Sequence, residues 1–123
     1  MTTRDTIQTY FDSLEQKQGW EDFLADEMTF TNFAGATTQL TGRDAYLKAT
    51  KGFFSMITAL EVKDLLVDGE KACALTRYEL QPPAGAAFES HVAEVFEVQD
   101  GKITSLGIYF DNTPFPKPPK PAS

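Results

Sequence analysis

Two Asp-Gly pairs, Asp68-Gly69 and Asp100-Gly101, each separate two segments rich in β-branched and aromatic residues. An Asp-Gly pair in this setting favours a tight hairpin turn, because glycine tolerates the positive φ that the turn requires. The pattern predicts four strands joined as an antiparallel series, at residues 60–67, 72–80, 88–98 and 102–111. A sheet of this size needs a second layer over one face, which restricts the fold more than any other feature of the chain.

The covering layer is predicted in the first half of the chain. Residues 4–18 carry apolar side chains at helical spacing, a short second helix follows around Trp20, and a third helix opens at residues 41–44. Residues 28–33 alternate as a strand between the second and third helices. Three early helices and a late antiparallel sheet indicate an α+β fold, with a pocket where the helices leave a gap over the sheet.

Composition limits the partners and the compartment. The chain has 123 residues, a net charge of −7 and one cysteine. The acidic balance disfavours nucleic acid and anionic membranes as partners, since both repel a surface of this sign. Cys73 lies in a small apolar run and is interpreted as a structural thiol, so we expect a cytoplasmic protein without an intrachain disulfide.

We expect one domain over residues 1–113, followed by a proline-rich tail at residues 114–123. Proline has no N–H to donate to a sheet and favours the extended polyproline conformation. The tail is interpreted as solvated and disordered, and a ligand for an aromatic groove is the alternative.

Several sequence strings, in their order along the chain, resemble the nuclear transport factor 2-like superfamily, which includes ketosteroid isomerases and SnoaL-like polyketide cyclases. They are Ile7-Gln8-Thr9-Tyr10-Phe11, Phe23-Leu24-Ala25-Asp26-Glu27-Met28-Thr29-Phe30, Thr41-Gly42-Arg43-Asp44-Ala45, Val95-Phe96-Glu97-Val98-Gln99-Asp100-Gly101-Lys102-Ile103 and Tyr109-Phe110-Asp111. The resemblance covers nearly the whole chain up to Asp111. It implies a cone-shaped, curved sheet of the cystatin-like type wrapped around the three helices, and a homodimer formed through the outer sheet face.

The resemblance also implies site residues. Ketosteroid isomerases use a carboxylate base and an oxyanion hole made by a tyrosine and a protonated aspartic acid. The first-helix tyrosine falls on Tyr10 and the acid of the long strand on Glu94, whereas the base position falls on Asn32, an amide. The acid–base aspartate of SnoaL-like cyclases falls on Ile108. The chain therefore departs from both catalytic patterns at the general base.

Glu94 shares a strand face with three apolar residues, Val92, Phe96 and Val98. A carboxyl group on such a face must be paired, protonated or solvated. Two interpretations stay open. Either Glu94 lies in a dry cavity, where its pKa rises and the acid can donate a hydrogen bond, or it is a carboxylate wetted at the cavity mouth or paired with Arg77.

Other candidates also carry two interpretations. Tyr10 could steady an oxyanion, or could belong to the core with its hydroxyl at a wet rim. Asn32 could orient a ligand carbonyl or cap the turn that follows it. Alternation places His91, the single histidine, on the outer face. The remaining substrate-binding candidates are residues expected on the inner wall: Phe30, Phe54, Tyr78, Val92, Phe96, Ile108 and Phe110.

These residues predict a SnoaL-like domain that binds a small, mostly apolar molecule, with Glu94 and Tyr10 as its catalytic or anchoring groups. If the protein is an enzyme, we expect an isomerase, cyclase or dehydratase that works by acid–base chemistry. No glycine-rich phosphate loop or metal-spaced cluster is present, so no cofactor and no metal are predicted. The alternative is a non-catalytic module of the same fold that dimerises and docks another protein through Leu75, Ala93 and Val95.

Overall fold

The computed structural model describes residues 1–115, and residues 116–123 of the predicted tail lie outside the described part. The helices are α1 (Thr3–Glu15), a 3₁₀ helix (Trp20–Phe23) and α2 (Arg43–Met56). The strands are β1 (Leu24–Asn32), β2 (Thr38–Thr41), β3 (Ile57–Asp68), β4 (Lys71–Leu80), β5 (Phe88–Gln99) and β6 (Lys102–Phe110). The predicted α+β architecture with three early helices is confirmed.

The six strands form one curved, unclosed sheet in the order β2-β1-β6-β5-β4-β3. Neighbouring strands are antiparallel except β1 and β6, which run parallel. The predicted antiparallel series of four strands is confirmed as β3 to β6. Alternation along a strand shows which side chains share a face, but it carries no information on the direction of strands that no hairpin joins. Strand β2 has only four residues, too few for the pattern to predict it.

Helix α1 begins at a capping box. The Thr2 hydroxyl accepts a hydrogen bond of 3.0 Å from the Asp5 N–H, and the Asp5 carboxylate accepts one of 3.4 Å from the Thr2 N–H. The buried stripe of the helix consists of Thr6, Ile7, Tyr10, Phe11 and Leu14. It packs across β3, β4 and β5, where the small residues Ala72 and Ala74 are buried. This stripe fills one end of the inner sheet face and leaves the other end for a cavity.

The predicted alternation along β5 is confirmed. Val92, Glu94, Phe96 and Val98 are buried on the inner face. His91 points outward, as predicted, with 63% of its side chain exposed. The inner face of β5 therefore carries a single carboxyl group among apolar side chains.

Arg77 lies on the outer face of β4 and contacts three carboxylates. Its guanidinium group is 2.8 Å from Glu79, 3.1 Å from Glu89 and 3.5 Å from Glu61. Ion pairs at such a solvated surface contribute little to stability. The interpretation that Arg77 pairs with Glu94 is wrong, because alternation places the two side chains on opposite faces of the sheet.

Candidate functional site

A cavity of about 340 Å³ lies between helix α2 and the inner face of the sheet. Its volume falls in the range of small-molecule sites. Most of the wall is apolar or aromatic, and the lining residues are Phe30, Asn32, Thr38, Leu40, Tyr46, Ala49, Thr50, Phe53, Phe54, Tyr78, Val92, Glu94, Leu106, Ile108, Phe110 and Phe115.

Helix α2 forms the wall opposite the sheet. It begins after Gly42, whose φ of +101° suits glycine and whose N–H donates a hydrogen bond of 2.7 Å to the Met28 carbonyl of β1. This bond ties the start of the helix to the sheet. The helix then presents Tyr46, Thr50 and Phe53 to the cavity, at the three- and four-residue spacing of one helical face.

Glu94 is the acidic side chain of the cavity wall and is only 6% exposed. Its Oε1 accepts a hydrogen bond of 2.9 Å from the Tyr78 hydroxyl, and its Oε2 accepts one of 3.0 Å from the Thr76 hydroxyl. Both donors come from the neighbouring strand β4. Within residues 1–115, Glu94 forms no ion pair, so two uncharged hydroxyl groups alone hold its carboxyl group.

Burial raises the pKa of Glu94 from 4.5 to about 7, although the hydrogen bonds from Tyr78 and Thr76 lower it. At neutral pH the group is therefore divided between the acid and the carboxylate. A carboxyl group in this condition can both give and take a proton, which general acid–base catalysis requires. The burial of Glu94 and its raised pKa favour the first of the two interpretations, a carboxyl group whose pKa rises inside the cavity.

Three tyrosine hydroxyls lie close to Glu94. Burial is the largest cause that raises the pKa values of Tyr10, Tyr46 and Tyr78, and the nearby charge of Glu94 raises them further. The three phenols therefore keep their protons at neutral pH and can donate hydrogen bonds. Only Tyr46 and Tyr78 line the cavity.

Tyr10 lies in the core behind the cavity, which fits its interpretation as a core residue and not that of an oxyanion donor on the wall. It is 1% exposed, and its ring packs edge-on against Phe11 and Phe96 at centroid distances of 5.1 and 5.8 Å. Its hydroxyl interacts with that of Tyr46, so Tyr46 stands between Tyr10 and a ligand. Phe96, also expected on the wall, is fully buried, because α1 covers this end of the sheet.

The other predicted substrate-binding residues do line the cavity: Phe30, Asn32, Phe54, Tyr78, Val92, Ile108 and Phe110. Asn32 both lines the cavity and caps the turn that follows it, because its Oδ1 accepts a hydrogen bond of 2.8 Å from the Ala34 N–H. A backbone N–H can donate only to the amide oxygen, which fixes the orientation of this amide. The two hydrogens on Nδ2 are thereby left for a ligand.

Asn32, Ile108 and Glu94 lie in register on the adjacent strands β1, β6 and β5. Two strand spacings, about 10 Å in total, therefore separate the backbones of Asn32 and Glu94. Ile108 lies between them and gives this part of the wall an apolar floor. A molecule of one or two rings could touch the amide and the carboxyl group together.

The family model of the SnoaL-like domain matches residues 7–106. The chain belongs to this family. The SnoaL-like domain is part of the nuclear transport factor 2-like superfamily, as the sequence strings predict. No curated protein sequence matches the chain significantly.

Solved structures share the fold of this SnoaL-like domain. A protein from Kribbella flavida DSM 17836 is 26% identical, with a TM-score of 0.76 over 90% of this chain and 88% of that chain. A structure from Jannaschia sp. CCS1, provisionally named a SnoaL-like polyketide cyclase, is 16% identical, with a TM-score of 0.75 over 89% and 85%. An M. tuberculosis LEH-like epoxide hydrolase is 18% identical, with a TM-score of 0.73 over 89% and 82%. The last two show the fold alone, since one fold hosts many activities.

Eight wall residues of this SnoaL-like domain carry no site role in the sequence predictions, and three of them are aromatic: Tyr46, Phe53 and Phe115. Tyr46 and Phe53 are two helical turns apart on one stripe of α2, and this spacing was the signal that could have found them. However, an apolar stripe at helical spacing more often packs in the hydrophobic core than lines a binding site. Phe115 stands alone among prolines and has no periodic neighbour to mark it.

The cavity offers a limited set of groups for chemistry: one carboxyl group, the hydroxyls of tyrosine and threonine, and one amide. Within residues 1–115, no group of three or more His, Cys, Asp or Glu side chains is placed to hold a metal ion. In the same part of the chain, no helix combines the length and apolar character needed to cross a membrane.

Proposed function

We propose that this SnoaL-like domain binds a small, uncharged and mostly apolar molecule in the cavity and transfers a proton on it through Glu94. One observation carries the proposal: the Glu94 carboxyl group is buried in an apolar cavity and held by two uncharged hydroxyls. Burial raises its pKa to about 7, so it can give or take a proton at neutral pH. The reaction class is an isomerisation, cyclisation or dehydration, each of which proceeds by general acid–base catalysis. The step needs only groups of this chain.

The residues of the cavity wall are the reason for proposing an uncharged ligand. None of the lining residues in the described part of the chain is Lys, Arg or His, and Glu94 is the one carboxylic acid among them. An anionic ligand would lose its water without gaining a cationic partner, which is costly in an apolar cavity. A carbonyl or hydroxyl oxygen, by contrast, would meet the Asn32 amide and the Tyr46 hydroxyl as donors.

The proton step can be written for a ketone. The Glu94 carboxylate takes a proton from the carbon beside the carbonyl, and the electron pair of the C–H bond forms the double bond of an enolate. The carbonyl oxygen receives the negative charge, and the Tyr46 hydroxyl stabilises it with a hydrogen bond. The protonated Glu94 then returns the proton to the same or another carbon, which completes an exchange or an isomerisation.

The probe for this proposal is 2-acetonaphthone, a neutral two-ring ketone whose methyl protons exchange with D₂O through the enolate. We expect the full chain to bind it and to accelerate the exchange, as followed by NMR. Glu94→Gln keeps the shape of the side chain but cannot take a proton, so exchange should fall by roughly 100-fold or more.

Glu89→Gln is the matched control, because Glu89 lies on the exposed face of the same strand and should leave exchange at the wild-type rate. Equal exchange by the wild type and Glu94→Gln would contradict the proposal. So would tighter binding of the anion 2-naphthoate than of the ketone.

A second proposal concerns an outer patch formed by Phe33, Leu66, Leu75, Val95 and Tyr109, whose side chains are all exposed. Strand pairing makes the patch continuous across β4, β5 and β6, and the rings of Phe33 and Tyr109 stack at 4.4 Å. Exposed apolar surface of this kind marks interaction sites. We propose that a second copy of the chain covers it, since a two-fold contact between sheets pairs the patch with itself.

A further inference from the structure

After β6 the chain turns back across the end of the sheet in residues 111–115, here named the C-terminal strap. Asp111 Oδ1 accepts hydrogen bonds from the Thr113 N–H at 3.0 Å and from the Thr113 hydroxyl at 2.6 Å. The Phe115 N–H donates to the Asn112 carbonyl at 3.1 Å. These local bonds define a turn that directs Phe115 toward the domain.

The ring of Phe115 packs into a cluster of three other phenylalanine rings. Its centroid is 5.1 Å from those of Phe88 and Phe110 and 6.4 Å from that of Phe53. These partners come from the start of β5, the end of β6 and helix α2. Phe115 itself lines the cavity, so it joins the helix wall to the sheet wall.

The phenylalanine cluster is partly exposed to solvent. Phe53, Phe88, Phe110 and Phe115 are all half-buried, whereas Glu94, Tyr46 and Tyr78 are buried. The ring of Phe53 packs edge-on against that of Tyr78 at a centroid distance of 5.3 Å, so the cluster adjoins the tyrosine that holds Glu94. A ligand that enters between α2 and the end of β6 would therefore meet the phenylalanine cluster before it reaches Glu94.

The strap also contacts the β1–β2 loop. A Cβ atom added at Gly35 would lie 2.8 Å from Asn112 Nδ2, far inside the normal contact distance. Gly35 has a φ of +71° and sits in the loop that leads to the β2 residues of the cavity wall. The strap thus lies against the loop through Asn112 and against the helix through Phe115.

From these contacts we propose that the C-terminal strap closes the mouth of the cavity and that Phe115 decides the size of the ligand admitted. This inference rests on the proposed function only in taking an uncharged apolar molecule as the occupant. The strap is held by one aromatic cluster, one loop contact and exposed hydrogen bonds. Segments held by so few contacts open locally far more readily than the core. Opening admits the ligand, and closing excludes water from Glu94.

The test uses the full chain and three neutral ketones of increasing size: acetophenone, 2-acetonaphthone and 2-acetylanthracene. In Phe115→Ala we expect association and dissociation of 2-acetonaphthone to become roughly tenfold faster, because the ring that blocks passage is removed. The three-ring ketone, excluded by the wild type, should bind to this variant. Phe115→Leu keeps an apolar cover and should change the rates less.

A second pair of variants tests the strap without touching the cavity. Gly35→Ala should turn the Asn112 side chain away from the loop, which removes the loop contact of the strap, and should speed ligand exchange by less than Phe115→Ala does. Gly19→Ala is the matched control, because Gly19 has a similar φ of +80° but an added Cβ would meet nothing within 4 Å. It should behave as the wild type.

Unchanged rates and an unchanged size limit in a folded Phe115→Ala variant would overturn the inference, as would equal effects of Gly35→Ala and Gly19→Ala. If the wild type binds none of the three ketones, it is the proposed function that fails. Amide hydrogen exchange then tests, without any ligand, whether Phe115 holds the strap closed. Faster exchange at residues 113 and 115 in Phe115→Ala supports closure by Phe115, and equal exchange overturns it.

Discussion

Tyr78 and Glu94 are joined by a hydrogen bond of 2.9 Å although they are not cross-strand partners. The partner of Glu94 on β4 is Ala74, and the partner of Tyr78 on β5 is Ser90. The tyrosine side chain therefore leans along the strand to reach the carboxyl group, and the small side chain of Ala74 leaves room for this diagonal contact. This hydrogen bond lowers the pKa of Glu94 and so opposes the larger effect of burial, which raises it.

Tyr78→Phe should raise the pKa of Glu94 above its value of about 7, because the hydrogen bond from Tyr78 lowers that pKa. The expected rise is roughly one pKa unit, the size of one hydrogen bond to a charged group. Titration of the Glu94 carboxyl carbon by NMR measures it. Tyr109→Phe, on the outer face, should leave the titration of Glu94 unchanged. An unchanged or lower pKa of Glu94 in Tyr78→Phe would disprove that the hydrogen bond from Tyr78 lowers this pKa.

Glu94 should make stability depend on pH. Its pKa rises from 4.5 to about 7 on folding, so between these values the folded state binds more protons than the unfolded state. The contribution of this group is greatest below pH 4.5 and is lost as the pH rises through about 7, a change on the order of 3 kcal/mol in the free energy of unfolding. Urea unfolding over this range should show the decline in the wild type and a flatter curve in Glu94→Gln. A decline of equal size in both proteins would assign it to other groups.

Tyr46→Phe should reduce the exchange of 2-acetonaphthone protons more than Tyr10→Phe does, because Tyr46 lines the cavity and Tyr10 does not. Loss of one donor to a developing oxyanion costs roughly 100-fold in rate. Tyr10 acts through Tyr46, and its substitution should cost several-fold at most. Equal losses in the two variants, measured by the same NMR exchange, would mean that Tyr10 reaches the ligand after all.

Val95→Lys should shift a homodimer toward the monomer, because it places a charge in the middle of the outer patch. Sedimentation velocity should show a dimer for the wild type and a dissociation constant at least roughly tenfold higher for the variant. Gln8→Lys adds the same charge on the exposed side of α1 and serves as the control. A wild type that is monomeric at high concentration would refute the dimer.

The sequence predicts the strand faces well and the helix contacts poorly, for a physical reason. Alternation alone places Glu94 on the inner face and His91 on the outer face, because a strand has only two faces. A helical stripe is wide, and which of its residues meets the cavity depends on how the helix packs on the sheet. Tyr10 and Tyr46 both belong to apolar stripes, and only the packed structure distinguishes the core tyrosine from the wall tyrosine.

Contacts between segments that are far apart in the sequence could not be predicted either. No turn links β1 to β6, so neither their pairing nor their parallel direction follows from local pattern. The docking of Phe115 depends on three phenylalanines from separate elements that meet only after folding. Glu94 could be predicted as a site residue because its own strand marks it as an exception among apolar neighbours.

The pairing of β1 with β6 has a consequence for how the protein is made. The ribosome synthesises β1 before β3, β4 and β5, and its sheet neighbour β6 after them, so the centre of the sheet cannot close until β6 has been synthesised. A nascent or prematurely terminated chain that lacks β6 would leave the edges of β1 and β5 unpaired and open to aggregation. Such fragments would be substrates for chaperones and proteases instead of partly active proteins.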